Sequence, residues 1–261
     1  MRELTLVMAH FQNLGMLAEQ QRVWAAYPPE LRAQLHVVVV DDHSPVAPDP
    51  ESFTVSGLAS FRVFRLQQHV RWNWLACRNL GAKVASTQWL LLTDMDHVLP
   101  AETLRWLVDA RLEPMRAYRF SRVDAVTPWP YALADCPAYK PHNDSWLVTT
   151  SLFNYDDGKK FVKGYDERLS GCYGSSSEFK DRLMLCAAGY ELLHVPLVRY
   201  PREIIADAST HPSVYTRKHD PVNDAEIKAR KLARSLIAQW RPLQGLIGAD
   251  LIYDSRVGVP C

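Results

Sequence analysis

Three observations predict an α/β fold built on a mostly parallel central sheet flanked by helices. Strand-like and helix-like segments alternate through the first hundred residues. Four consecutive valines, Val37 to Val40, read as a strand buried on both faces. Two acidic clusters, Asp41-Asp42 and Asp94/Asp96, directly follow apolar strands. Sheets of this class bind ligands at the carboxyl ends of their strands.

The elements follow in order. Leu4 to Met8 is a short apolar run, fit for a buried strand. Leu14 to Ala26 has helical spacing through Leu14, Leu17 and Trp24, and it stops before Pro28-Pro29. Leu35 to Val40 is the valine-rich strand, and Asp41 to Pro45 is a polar turn. Phe61 to Leu66 is a third strand, Trp72 to Ala85 a helix, and Gln88 to Thr93 a fourth strand ending at Asp94-Met95-Asp96-His97. Residues 113–160 mix aromatics, proline and polar residues, with short strands expected at Arg116 to Val123 and Ser145 to Leu152. Lys180 to Ala188 reads as a helix, Glu191 to Val198 as a strand, and Asn223 to Trp240 as a helix opened by the capping pair Asn223 and Glu226.

Thirty Lys and Arg against twenty-nine Asp and Glu give a net charge of +1, so attraction by the whole molecule is not its strategy. With 48% hydrophobic and 23% charged residues, the chain is neither disordered, collagen-like nor coiled coil. Five scattered cysteines without a CxxC pair predict neither a disulfide framework nor structural zinc, and point to a reducing, cytoplasmic compartment. The N-terminus lacks the apolar stretch of a signal peptide, and no run reaches the roughly 20 apolar residues of a membrane span.

Chemistry concentrates at the acidic clusters. Asp94 and Asp96 place two carboxylates on alternate residues past a strand, a donor set suited to Mg²⁺ or Mn²⁺. A metal there would clamp a diphosphate; the bland reading is a solvated acidic loop. Asp41 and Asp42 would accept hydrogen bonds from a nucleoside, and the bland reading is turn chemistry. Arg78 would neutralise phosphate, against the alternative of a salt bridge. Trp72, Trp74, Trp129 and Trp146 offer stacking surfaces or core packing, and the Lys228 to Arg234 run is either a phosphate-binding face or a solvated one.

Taken together, Val37 to Ser44 (VVVVDDHS), Arg78 to Ala82 (RNLGA) and Trp89 to Asp96 (WLLLTDMD) resemble the nucleotide-sugar half of a family 2-like glycosyltransferase with the GT-A fold. Phe161 to Arg168 (FVKGYDER) resembles the family's GGYDER segment, and Gly171 to Phe179 with Arg182 its acceptor-side block. The resemblance covers roughly residues 3–220. It implies a nucleotide-sugar-binding half over 1–110, an acceptor-binding and catalytic half of the same domain over 111–222, and a C-terminal helix and tail over 223–261. It further implies that Ala9, His10 and Phe11 line the base pocket, that Asp42 with Asp41 meets uracil and ribose, and that Arg78 approaches the diphosphate. Asp94 would meet the ribose or the metal, Asp96 the metal, and His211 would complete the metal shell. The cofactors implied are Mn²⁺ or Mg²⁺ and a nucleotide diphosphate sugar, with a UDP-sugar favoured. The reaction implied is inverting transfer to an acceptor hydroxyl on a glycan, a lipid, a protein or a modified DNA base.

One position departs from the pattern. Where relatives carry the aspartate that deprotonates the acceptor, this chain has Ser176, and a serine hydroxyl is no base at neutral pH. Glu178 two residues later, or Asp144 or Asp166 from elsewhere, would have to supply the carboxylate. Otherwise the chain is a weakened nucleotide-sugar- or glycan-binding protein. A nucleotidyltransferase-like enzyme would share the metal-diphosphate architecture, but no glycine-rich phosphate loop stands near the N-terminus.

Overall fold

The computed structural model describes residues 2–171, 175–208, 225 and 248–256. It begins β1 (Leu4–His10), α1 (Leu14–Ala25), α2 (Pro29–Arg32), β2 (Leu35–Asp41), β3 (Ser60–Leu66), α3 (Trp74–Val84), β4 (Trp89–Asp94), β5 (His97–Val98) and α4 (Ala101–Asp109). It continues with β6 (Arg116–Asp124), β7 (Ala138–Tyr139), β8 (Trp146–Thr149), α5 (Thr150–Phe153), α6 (Ser175–Cys186), β9 (Gly189–Arg199) and β10 (Ala249–Asp254). All ten strands belong to one sheet ordered β10-β3-β2-β1-β4-β8-β6-β9-β5, with β7 paired to β6. Strands β3, β2, β1 and β4 run parallel to their neighbours. The outer additions, β10 on β3, β8 on β4 and β5 on β9, are antiparallel.

The valine run forms β2, as expected, because both its faces are covered. Val37 and Val39 pack into the core beneath α1 with Trp24 and Phe61, whereas Val38 and Val40 pack with Leu66, Ala76 and Cys77 toward α3. Strand β1 divides its side chains in the same way, with Leu4, Leu6 and Met8 on one face and Val7 on the other. Gly81 lets α3 lie directly on β1: a Cβ there would sit 2.2 Å from Val7 Cγ1.

Three local expectations are corrected. The stretch Ser145 to Leu152 is not all strand: β8 ends at Thr149, whose hydroxyl accepts from the Leu152 N–H and starts α5. The helix expected from Lys180 begins five residues earlier, at Ser175. The segment expected as a tail after residue 240 contains β10, a strand on the outer edge of β3. The helix expected over 223–240, with the Lys228 to Arg234 run, lies outside the described residues.

Candidate active site

The carboxyl ends of β2 and β4 flank the end of β1. Asp41 pairs in register with His10, Asp94 with Ala9, and the Asp42 N–H donates to the His10 carbonyl at 2.8 Å. The two acidic clusters therefore share one edge of the sheet.

Their four carboxylates do different work. Asp41 is fully buried and saturated: it accepts from His10 Nδ1 (2.8 Å), from the Ser44 hydroxyl (2.5 Å) and N–H (3.0 Å), and pairs with Arg65 (3.2 Å). His10 is occupied in turn, since its Nε2 accepts from the Asn13 N–H at 3.3 Å. Asp41 and His10, expected to face the nucleoside, are both buried and bonded to each other. Asp42 is different. One oxygen accepts from the Asn73 N–H at 2.7 Å, while Oδ1 is buried with no hydrogen-bond partner. Burial pushes its carboxyl up to about 8, against the Asn73 N–H and with help from Asp41. Half-buried Ala9 and buried Phe11 follow along β1 and its exit. The Phe11 ring lies 6.3 Å from exposed His69, which lies 6.2 Å from His43, so two histidines that sequence reasoning passed over stand with Phe11.

Asp94 lies at the centre of the second cluster. Its Oδ1 accepts from Arg78 at 2.6 Å, and its Oδ2 lies 3.3 Å from His142 Nε2. Burial works against its charge, but Arg78 above all outweighs it and holds the carboxyl below its usual range. Arg78 is fully buried, donates to the Asp144 carbonyl (2.7 Å) and the Tyr165 hydroxyl (3.1 Å), and packs 4.6 Å from the Trp74 ring. Arg78, expected near a diphosphate, is here bonded to Asp94 and to the Asp144 carbonyl. Trp74 is correspondingly a packing partner of Arg78 and Tyr165.

Asp96 turns to His97, whose Nδ1–H donates to it at 2.7 Å because His97 Nε2 faces Arg122 at 3.1 Å. The His97 ring stacks on His142 with centroids 4.2 Å apart. Among the described residues, the cluster able to hold a metal is Asp94, His97 and His142, with ligand atoms within 4.8 Å of one another. Asp96, expected beside Asp94 on the metal, is hydrogen-bonded to His97 and is not in this cluster. His211 lies outside the described residues. Burial and the adjoining His97 hold the His142 imidazole down to about 3, so the ring is neutral.

The base candidates separate cleanly. Glu178 is excluded as a base facing an acceptor, because it is buried and both its oxygens accept from Arg182, each at 2.7 Å. Asp166 is held likewise by Arg168. Asp144 is not. The Ser176 hydroxyl hydrogen-bonds to its carboxylate, its Oδ1 is buried without a partner, and burial followed by the nearby Asp94 raises its pKa. The serine at the expected aspartate position thus touches an aspartate from another segment. A cavity of about 650 Å³ lined by Lys83, Gln88, Ser151 and Asn154 lies at the opposite end of β4 from Asp94 and is separate from this site.

No protein-family model matches the chain, and no curated protein matches it. Solved structures do. S. aureus TarS residues 1–349 in complex with UDP-GlcNAc superposes with a TM-score of 0.61 at 16% identity, over 92% of this chain and 68% of that one. The same protein in complex with UDP gives 0.52 at 16% identity, over 89% and 71%. The longer TarS structure gives 0.53 at 14% identity, and there this chain spans 44% of the other's length. With its mixed α/β architecture and its mostly parallel central sheet flanked by helices, the chain has a GT-A-like fold.

Proposed function

We propose that this chain is a glycosyltransferase that moves a sugar from a nucleotide diphosphate sugar, with UDP as the favoured carrier, to an acceptor hydroxyl. One observation carries the reading. At the strand ends where α/β sheets take their ligands, Asp42 holds a buried carboxyl oxygen with no protein partner, beside the Asp94 cluster. A buried polar oxygen left unsatisfied in this way costs about 1–3 kcal/mol, and a hydrogen-bonding group of a bound nucleoside would relieve it. The TarS complexes with UDP and UDP-GlcNAc support a uridine carrier.

The donor would lie across the end of β1, with its nucleoside at Asp42, Ala9 and Phe11 and its diphosphate toward Asp94. Arg78 keeps Asp94 ionised and oriented. A divalent ion, when bound at Asp94, offsets the charge that develops on the departing diphosphate. Asp144 takes the acceptor hydroxyl proton as the new C–O bond forms at the anomeric carbon and the bond to the diphosphate breaks. Attack from the face opposite the leaving group inverts the anomeric centre. Ser176 orients the Asp144 carboxylate, which favours catalysis over the binding-only alternative.

Calorimetry with UDP and turnover of UDP-GlcNAc in Mn²⁺ test the reading. UDP should bind, and D42N should weaken it about tenfold or more. D144N should bind UDP as the wild type does and lose about 10²–10⁴-fold in turnover. Failure of uridine nucleotides to bind would overturn the donor assignment. Undiminished turnover in D144N would overturn the base.

A further inference from the structure

We infer that His142, on the loop before β8, is a metal ligand that forms with Asp94 a mixed nitrogen–oxygen seat selective for transition-metal ions over Mg²⁺. The inference deepens the reading above and rests on its placement of a divalent ion at Asp94.

The geometry is that of two ligands on one ion. Asp94 Oδ2 and His142 Nε2 lie 3.3 Å apart. Two atoms that each bind one ion at ordinary metal–ligand distances are separated by about 3.0 Å in an octahedral shell and about 3.4 Å in a tetrahedral one. The other oxygen of Asp94 is taken by Arg78, so Oδ2 is the oxygen left to face the seat.

Both residues are oriented from behind, as metal ligands characteristically are. His142 Nδ1 lies 3.0 Å from the Ser145 hydroxyl, which lies 2.7 Å from the Thr93 hydroxyl. When that chain takes the Nδ1 proton, the Nε2 lone pair points at Asp94. On its other side the ring is stacked on His97, which Asp96 and Arg122 hold at its two nitrogens. His97 belongs to the same cluster but has both nitrogens engaged, so it joins the shell only by releasing one partner. Asp96, the second carboxylate of the triplet, is then a positioning residue that acts through His97.

The nitrogen donor decides selectivity. Carboxylate and water ligands suit Mg²⁺, whereas imidazole suits later first-row ions, and affinity at a mixed N/O site rises from Mn²⁺ to Co²⁺ to Ni²⁺.

Titration of the full chain with Mn²⁺, read by the EPR signal of free Mn²⁺ and repeated with Co²⁺ and with Mg²⁺ as competitor, tests the seat without donor or acceptor. The wild type should bind Co²⁺ more tightly than Mn²⁺ and require large excesses of Mg²⁺ for displacement. H142A and H142Q should each lose at least tenfold in Mn²⁺ affinity and lose the Co²⁺ preference. D96N should lose less. Thermal unfolding of each variant shows that the fold persists. Two variants that are folded yet bind Mn²⁺ and Co²⁺ as the wild type does would overturn the seat, and the 3.3 Å contact would then be a hydrogen bond from Nε2–H to Asp94. UDP calorimetry on the Mn²⁺-saturated wild type is read separately: absence of UDP binding there sinks the donor reading, and an unchanged Mn²⁺ titration in H142A sinks only this inference.

Discussion

Asp42 is where electrostatics and ligand binding compete most directly. Its folded-state pKa of about 8 lies far above the ordinary value of 3.8. Between those two values the folded protein retains a proton that the unfolded chain has lost. Stability therefore falls as pH rises from about 4 to about 8, and the penalty is complete above that. D42N has no carboxyl to titrate and keeps an acceptor for the Asn73 N–H. It should melt several degrees higher than the wild type at pH 8.5, with a smaller gap at pH 5. An equal gap at both pH values would disprove this account. Asp42 and Asp94 were legible in the sequence because each immediately follows an apolar strand. His142 was not, since nothing local marks a loop histidine whose partner Asp94 sits on another strand. Asp144 was one alternative among several in the sequence, where nothing shows that Arg182 and Arg168 occupy Glu178 and Asp166.

The elements set these side chains by close approach and by buried pairing. Helix α3 carries Arg78 to Asp94, and its seat on β1 depends on Gly81. G81A forces a methyl into Val7 and should cost about 1–3 kcal/mol in chemical denaturation. It should also weaken UDP-GlcNAc turnover, because any shift of α3 moves Arg78. In α6, Glu178 and Arg182 form a buried pair one helical turn apart. E178Q leaves the guanidinium without its counter-charge and should cost about 3–5 kcal/mol in urea unfolding. Turnover per folded molecule should persist, which separates a structural Glu178 from a catalytic one. The sequence reading found α3 within two residues at its start and one at its end, but it began α6 five residues late. Boundaries slipped where side chains intervened: Thr149 converts the end of an apolar run into a helix start, which strand-like composition conceals.

At the scale of the whole molecule, one sheet joins the parallel strands β3, β2, β1 and β4 to β8, β6 and β9 through the antiparallel pair of β4 and β8. The site sits where the parallel strands β2, β1 and β4 end and where the loop before β8 returns. Strand β10 closes the opposite edge, and its Tyr253 packs on Phe53 and Phe61 with ring centroids 4.9 and 5.5 Å away. Truncation before residue 248 would strip the edge of β3 and bare those rings. It should lower the melting temperature and promote aggregation, checked by light scattering during thermal unfolding. An equally stable, monodisperse truncation would show that β10 is dispensable. Among the described residues, no helix is long and apolar enough to cross a membrane.

The sequence by itself determined the alternation of strands and helices, the doubly buried β2, and the acidic ends of β2 and β4. Each of these is a local pattern, set by which residues neighbour one another along the chain. Tertiary structure alone decided which carboxylates are spent and which are available. Asp41, Glu178 and Asp166 are neutralised by partners, whereas Asp42 and Asp144 each keep a buried oxygen unpaired. That division depends on desolvation and on contacts between distant segments, and neither has a signature in residue order.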